Sequence, residues 1–175
     1  MREAGMGQQR QMEKQRELEE AGYSEPYARA MAVLAERDER ARTGKVVIRQ
    51  SDREWLTDRM AARCLYYLDH HYEDSANVDW RVFCHDIVTQ SGGHRHQGGL
   101  ALFVLEGRGA TIMDGVRYDW EAGDLVLLPV KPDQVDHQHI NLGGNAKWLA
   151  FIYSPMWQAV ASTMVPTKDR PGWDS

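Results

Sequence analysis

The stretch that decides the fold is residues 93–109, GHRHQGGLALFVLEGRG, together with residues 123–141, GDLVLLPVKPDQVDHQHIN. Each contains a His-x-His pair, His94/His96 and His137/His139, in an apolar and alternating context that is typical of β-strands. Side chains two residues apart project from the same face of a strand, so His94 and His96 can aim both imidazoles at one point. A third imidazole from the second pair would complete a site for Zn, Cu, Fe or Ni. The sequence therefore predicts a mononuclear metal site.

Short apolar segments separated by turn residues continue on both sides of these pairs. Asp114-Gly115 favours a tight hairpin between two of them. Seven or eight closely spaced strands with Gly-rich turns are typical of a sandwich, jelly roll or barrel, so we predict an all-β domain. The predicted strands lie near residues 80–89, 100–106, 109–113, 116–120, 124–129, 134–140 and 147–153.

The N-terminal part of the chain has a different composition. Residues 1–22 are polar, and Ser24 followed by Pro26 predicts a helix start with Ser24 as its N-cap. An apolar stripe of Tyr27, Met31 and Leu34 follows, which we expect to dock onto the domain or onto a second subunit. The helix is expected to end at Thr43-Gly44.

A second helix is predicted from Ser51 and Glu54, which form a capping-box pattern before Trp55 and Leu56. We expect it to extend to about Leu68. The predicted organisation is a polar helical N-terminal arm (1–44), a capping helix and linker (45–76), a β-barrel (77–160) and a C-terminal tail (161–175).

Composition narrows the partners. The net charge is −5, which argues against a surface for nucleic acid. No apolar run approaches the roughly 18 residues of a membrane helix, and no signal-peptide pattern is present. Cys64 and Cys84 do not form a CxxC pair. We expect two reduced, buried thiols in a cytoplasmic protein that binds neither membrane nor nucleic acid.

Both His-containing segments resemble the motifs of the cupin superfamily. The first motif is matched by His94, His96 and the run Leu105-Glu106-Gly107-Arg108-Gly109, and the second by Gly123 to Pro129 followed by His137 to Asn141. The resemblance implies a double-stranded β-helix, or jelly roll, whose open end holds one metal ion. It also implies that His94, His96 and His137 are the metal ligands.

Two positions make the resemblance narrower. Most metal-binding cupins have a glutamate ligand where this chain has Leu100, so the chain is more similar to the three-histidine branch, which includes gentisate and salicylate dioxygenases. That branch implies an Fe(II)-dependent dioxygenase that uses O2 to cleave a C–C bond in a small aromatic or enolisable substrate. The gentisate group holds the substrate carboxylate with an arginine at the position of Leu102, which makes a gentisate-like substrate doubtful here.

The strand pattern itself places Leu100 and Leu102 in the substrate pocket. If the alternation continues through Gly98-Gly99, both share a face with His94 and His96 and give the pocket an apolar lining; a bulge at the glycines would break this phase. Gln97 borders the site, either as a substrate-binding residue or as a turn amide that bonds backbone.

Other polar residues have two readings. His139 faces the same way as His137, so it is either a catalytic donor or base, or a hydrogen-bonded core histidine. We expect His85 to be structural, His70-His71 to lie at the surface near a helix end, and Asn141 to brace the backbone.

The metal and the reaction stay open at this level. Fe(II) is the expected cofactor, while Zn, Mn or Ni would support a lyase, isomerase or hydrolase without O2. A third alternative is a cupin that binds a small ligand as a sensor. Cupins commonly dimerise, so the resemblance also implies a homodimer or a higher homo-oligomer.

Overall fold

The structure is a computed structural model that describes residues 12–13, 15–22 and 25–173. Contacts within the chain separate two units, Met1–Gly44 and Lys45–Ser175. In the described part, no helix is both long enough and apolar enough to cross a membrane.

The main helix of the first unit is α1 (Pro26–Thr43), and residues 15–20 are also helical. Pro26 occupies its first turn, as predicted, because the missing N–H of proline needs no partner there. The N-cap is Glu25, whose carboxylate accepts hydrogen bonds from the N–H groups of Tyr27 and Ala28. The predicted cap, Ser24, lies outside the described residues.

The second unit is an eight-stranded sheet, as the sequence predicts, with one short helix. A 3-10 turn (Gln50–Asp52) precedes it. The strands are β1 (Arg63–Leu68), β2 (Trp80–Ile87), β3 (Gly93–His96), β4 (Leu100–Met113), β5 (Val116–Glu121), β6 (Leu125–Leu128), β7 (Val135–Tyr153) and β8 (Val165–Lys168), with helix α2 (Ser154–Ala159) between β7 and β8.

The predicted helix from Ser51 to Leu68 is wrong. Only the 3-10 turn forms at its start, and β1 pairs antiparallel with β2 over its second half. Cys64 and Leu65 are buried in this pairing. The tertiary contacts of a strand therefore override a local capping pattern.

Strand β7 organises the sheet. One edge pairs with β4 over nearly its whole length, from Met113↔His137 to Leu100↔Ile152. The other edge pairs first with β3, at His94↔His137, and then with β2. The segment predicted as a C-terminal tail also contributes, because β8 pairs with β3.

Two pairs of predicted strands are each one long strand. Segments 100–106 and 109–113 join as β4, because Gly107 (φ 73°) absorbs a register shift without ending the strand. Segments 134–140 and 147–153 join as β7. The predicted hairpin is present, with Asp114 (φ 50°) and Gly115 (φ 82°) both left-handed between β4 and β5.

Candidate metal centre

Three imidazoles meet where β3 and β7 pair. Each of His94, His96 and His137 offers one ring nitrogen, and the three atoms lie within 4.8 Å of one another. The ring centroid of His137 is 4.3 Å from that of His94 and 4.7 Å from that of His96. These are the three ligands that the cupin resemblance implies, brought together without a carboxylate.

The sheet register explains this meeting. His94 and His137 are direct partners across β3 and β7, which places their side chains next to each other on one face. His96 follows two residues later on β3 and shares that face. Sequence spacing and strand pairing together fix the three positions.

The residues around the triad fit a metal ion. Nitrogen ligands about 2.1 Å from a metal lie about 3 to 3.5 Å apart, a range that small ring rotations reach from the present separation. His137 Nδ1 lies 3.1 Å from the carbonyl oxygen of Val135; donation there leaves the Nε2 lone pair free, as in many metal-binding histidines. His94 Nδ1 is buried and has no hydrogen-bond partner in the described structure.

His96 has a different neighbour. The N–H of Gly98 donates to Nδ1 of His96 over 2.9 Å. A neutral His96 with this contact carries its proton on Nε2, so metal binding there requires ring rotation or loss of that proton. Gly98 is held at φ 77°, and a Cβ at this position would lie 2.0 Å from the carbonyl oxygen of Pro129.

The imidazoles of the triad are neutral at pH 7. Burial, with a smaller contribution from the neighbouring imidazoles, lowers the pKa of His94 to about 2 and that of His96 to about 3. Burial also lowers the pKa of His137. Neutral imidazole is the form that binds metals.

The triad lines a cavity of about 100 Å³ whose other walls are mostly apolar. Leu100 and Leu102 line it, as predicted, and both are buried. The strand is interrupted at Gly98 and Gly99 (both φ 77°), and the chain re-enters the sheet with the two leucines facing the histidines. Their neighbours in the wall include Phe83, Trp148 and Ile152.

His139 also lines the cavity but stands outside the triad. Its partner across β4 and β7 is Thr111, whose Oγ1 lies 2.9 Å from His139 Nδ1. Trp120 donates its Nε1–H to the same oxygen over 3.0 Å. The hydroxyl proton of Thr111 then has His139 Nδ1 as its acceptor, which assigns the His139 proton to Nε2. All three side chains are buried.

Gln97 does not reach the cavity. Its side-chain oxygen accepts the N–H of Thr163, and its backbone oxygen accepts the N–H of Lys131. The structure therefore corrects its assignment as a substrate-binding residue and supports the turn-amide alternative. Asn141 braces the backbone as predicted, donating to Ile87 and accepting from Gly143.

Sequence reasoning missed the contribution of β1 and β2. Cys64 and Tyr66 on β1, and Arg81, Phe83 and His85 on β2, line the same cavity at alternate positions of each strand. The signal was present in the alternation of β2, but the assignment of residues 63–68 to a helix hid its partner strand. His85 is buried in the wall, with Nδ1 lacking a partner among the described residues.

A second cluster of His and Asp side chains is exposed. His70 and His71 lie at the surface, as predicted, but in the turn after β1 rather than at a helix end. With Asp69 they offer ligand atoms within 4.8 Å of one another. Asp69 is already paired with Arg81, at 2.9 Å, so we assign no site to this cluster.

Comparison with known proteins agrees with this architecture. The family model of the cupin domain matches residues 88–152, and this part of the chain is a cupin domain. It contains β4 to β6, most of β7 and the complete triad. No curated protein sequence gives a significant match to the chain.

Solved structures show the same fold. A salicylate 1,2-dioxygenase from Pseudoaminobacter salicylatoxidans, as adducts with gentisate, matches with a TM-score of 0.50 and 16% identity over 96% of this chain and 36% of its own. A Streptomyces PAC13 variant with uridine matches with a TM-score of 0.52 and 12% identity over 71% of this chain and 93% of its own. In the salicylate dioxygenase alignment ranked first, this chain covers 29% of the other chain. At these identities the likeness establishes the jelly-roll fold and nothing finer.

Proposed function

We propose that the protein is a mononuclear non-haem Fe(II) dioxygenase of the cupin type, which cleaves a C–C bond in a small aromatic or enolisable substrate. The observation that carries this proposal is the set of three buried, neutral imidazoles at the wall of a small apolar cavity. Bound Fe(II) would chelate the substrate and activate O2.

The ligand charge favours an anionic chelator. His94, His96 and His137 contribute no negative charge, so a divalent ion held by them keeps its full charge and attracts an enolate or a catecholate. Leu100 and Leu102 exclude water from the same space and leave the chelating atoms as the substrate's main polar contact. The cavity volume of about 100 Å³ suits a molecule with at most one ring.

His139 acts as a hydrogen-bond donor in this proposal. Thr111 holds Nδ1, and the proton on Nε2 is available to an oxygen atom of a bound substrate. Burial lowers the pKa of His139 well below its usual value, which keeps the ring neutral. We therefore propose that His139 orients the substrate and binds no metal.

The test is metal analysis of protein purified without added metal, followed by O2 uptake with hydroxylated aromatics and β-diketones. We expect bound iron near one equivalent and substrate-dependent O2 consumption. His137→Ala should abolish both, whereas His71→Ala, at an exposed histidine outside the cavity, should change neither.

Each other outcome has a defined meaning. Bound Zn, Mn or Ni with turnover under argon would replace the dioxygenase by a lyase, isomerase or hydrolase at the same triad. Ligand binding without turnover would indicate a sensor. Full metal content in His137→Ala would overturn the assignment of the site.

We also propose a cytoplasmic homodimer or higher homo-oligomer. The two cysteines are free and buried, which suits a reducing compartment. Phe103, Leu105, Leu125 and Leu127 are exposed on β4 and β6 and form an apolar face. Sedimentation analysis should give a mass above that of one chain, and Leu127→Glu should lower it; a monomeric parent protein would refute the assembly.

A further inference from the structure

The cavity has a cationic side chain on the wall formed by β2. Arg81 lines it together with Phe83 and His85, since the three alternate along one face of the strand. Burial increases along this face, from Arg81, with 31% of its side chain exposed, to the buried His85. Arg81 therefore lies toward the mouth of the cavity, and His85 lies deep within it.

Arg81 is fixed in position by its neighbours. Its Nε donates to Oδ2 of Asp69 over 2.9 Å, and Asp69 is itself nearly buried. The guanidinium carbon lies 5.2 Å from the ring centroid of Tyr66 and 5.6 Å from that of Phe83. An ion pair and two ring faces thus hold a planar donor group in one orientation.

This arrangement leaves hydrogen-bond donors unused. Nη2 of Arg81 lies 3.5 Å from the hydroxyl of Tyr66, and Nη1 has no acceptor among the described residues. Burial raises the pKa of Tyr66 to about 12, so its hydroxyl keeps its proton. Asp58 also lines the cavity, but its Oδ1 already accepts the N–H groups of Met60 and Ala61.

We propose that Arg81, assisted by Tyr66, binds a carboxylate at the end of the substrate that lies opposite its metal-chelating group. This inference rests on the proposed chelation of the substrate by the triad. A guanidinium offers two parallel N–H donors that match a carboxylate, which gives affinity and direction together. Arg81 thereby supplies from β2 a cation that the position of Leu102 lacks.

The distance along β2 sets the shape of the ligand. Arg81 and His85 are four residues apart, or about 13 Å between Cα atoms at strand spacing. The ring of Phe83 lies between them and packs edge-on against Trp148, with centroids 5.8 Å apart. The matching substrate has a chelating oxygen pair at one end, a flat apolar middle and a carboxylate at the other end.

The test uses equilibrium binding to the Co(II)-loaded protein under argon, followed by the visible absorption of the metal. The probes are 3,4-dihydroxybenzoate and 3,4-dihydroxyphenylacetate, which carry a carboxylate opposite a catechol, and the neutral 3,4-dihydroxybenzamide. We expect at least one acid to bind about tenfold more tightly than the amide. Arg81→Met should reduce this preference to less than twofold.

The matched control is Arg63→Met. Arg63 also stacks on a ring, that of Trp55 at 4.8 Å, and also pairs with an aspartate, Asp86, but it does not line the cavity. This variant should keep the full preference. Arg81→Lys retains the charge beside Asp69 and should show an intermediate preference, because an ammonium group lacks the paired donors.

The outcomes separate the two proposals. Equal binding of acids and amide, or a preference that survives Arg81→Met, would overturn the role of Arg81 while leaving the metal site intact. If Arg81→Met does not fold, an undiminished preference in Arg81→Lys would overturn the paired-donor contact. Failure of the parent protein to bind Co(II), or to bind any of the catechols, would overturn the proposed function and this inference with it.

Discussion

The three-member hydrogen-bond chain of Trp120, Thr111 and His139 allows a sharp prediction. Replacing Thr111 by Val keeps the side-chain shape but removes the oxygen that serves both neighbours. Trp120 Nε1–H and His139 Nδ1 would then lie buried without partners. An unsatisfied buried polar group costs about 1 to 3 kcal/mol, so the free energy of unfolding should fall by about 2 to 6 kcal/mol.

The measurement is urea unfolding of the metal-free protein, followed by tryptophan fluorescence and circular dichroism. Thr111→Ser is the control, because it keeps the hydroxyl and loses one methyl group. Its expected loss is about 1 kcal/mol. The difference between the Val and Ser variants therefore isolates the oxygen.

A double-variant cycle tests the connection directly. Trp120→Phe removes the indole donor, so Thr111→Val should cost about 1 to 3 kcal/mol less in that background than in the parent protein. Additive effects would show that the two groups are not coupled. If Thr111→Val proved as stable as Thr111→Ser, the assigned hydrogen bonds, and with them the Nε2 proton of His139, would be wrong.

Three further predictions concern the glycines and the buried histidines. Gly98→Ala should lower metal affinity while leaving most of the fold intact, because a Cβ there meets the Pro129 carbonyl and displaces the N–H that contacts His96; unchanged affinity by metal titration would contradict this. Gly109→Ala should destabilise the fold by several kcal/mol, since its Cβ would lie 2.2 Å from the ring of Trp120, and a melting temperature within about 2 °C of the parent would refute it. Burial lowers the pKa of His85 from 6.5 to about 4, so the unfolded chain takes up a proton in this range that the folded chain refuses. Stability should therefore fall as pH drops from 6.5 to 4, by up to about 3 kcal/mol for this residue, and His85→Gln should flatten the pH dependence of urea unfolding in the metal-free protein.

The triad was predictable because its determinants are local. His94 and His96 stand two apart on a strand, and the motif around His137 supplies the third position. The apolar wall at Leu100 and Leu102 was predicted for an incomplete reason, since the strand alternation does not continue through Gly98 and Gly99. The backbone leaves the sheet there and returns with the same face inward.

The other wall of the cavity was not predictable in the same way. Residues 63–68 form a strand because β2 pairs with them, and that partner begins about a dozen residues later in the chain. Ser51 and Glu54 carry a helix-start pattern that tertiary pairing overrides. Arg81 therefore looked like an ordinary strand residue, and its place in the cavity emerged only from the sheet.

The position of β7 has a consequence for synthesis of the protein on the ribosome. Its pairing partners β2, β3 and β4 are all made first, yet none can complete its ladder until residues 135–153 have emerged. His94 and His96 likewise wait for His137. A nascent chain that stalls before about residue 135 should thus remain sensitive to protease and unable to retain metal, whereas release of β7 should complete the fold and the metal centre together.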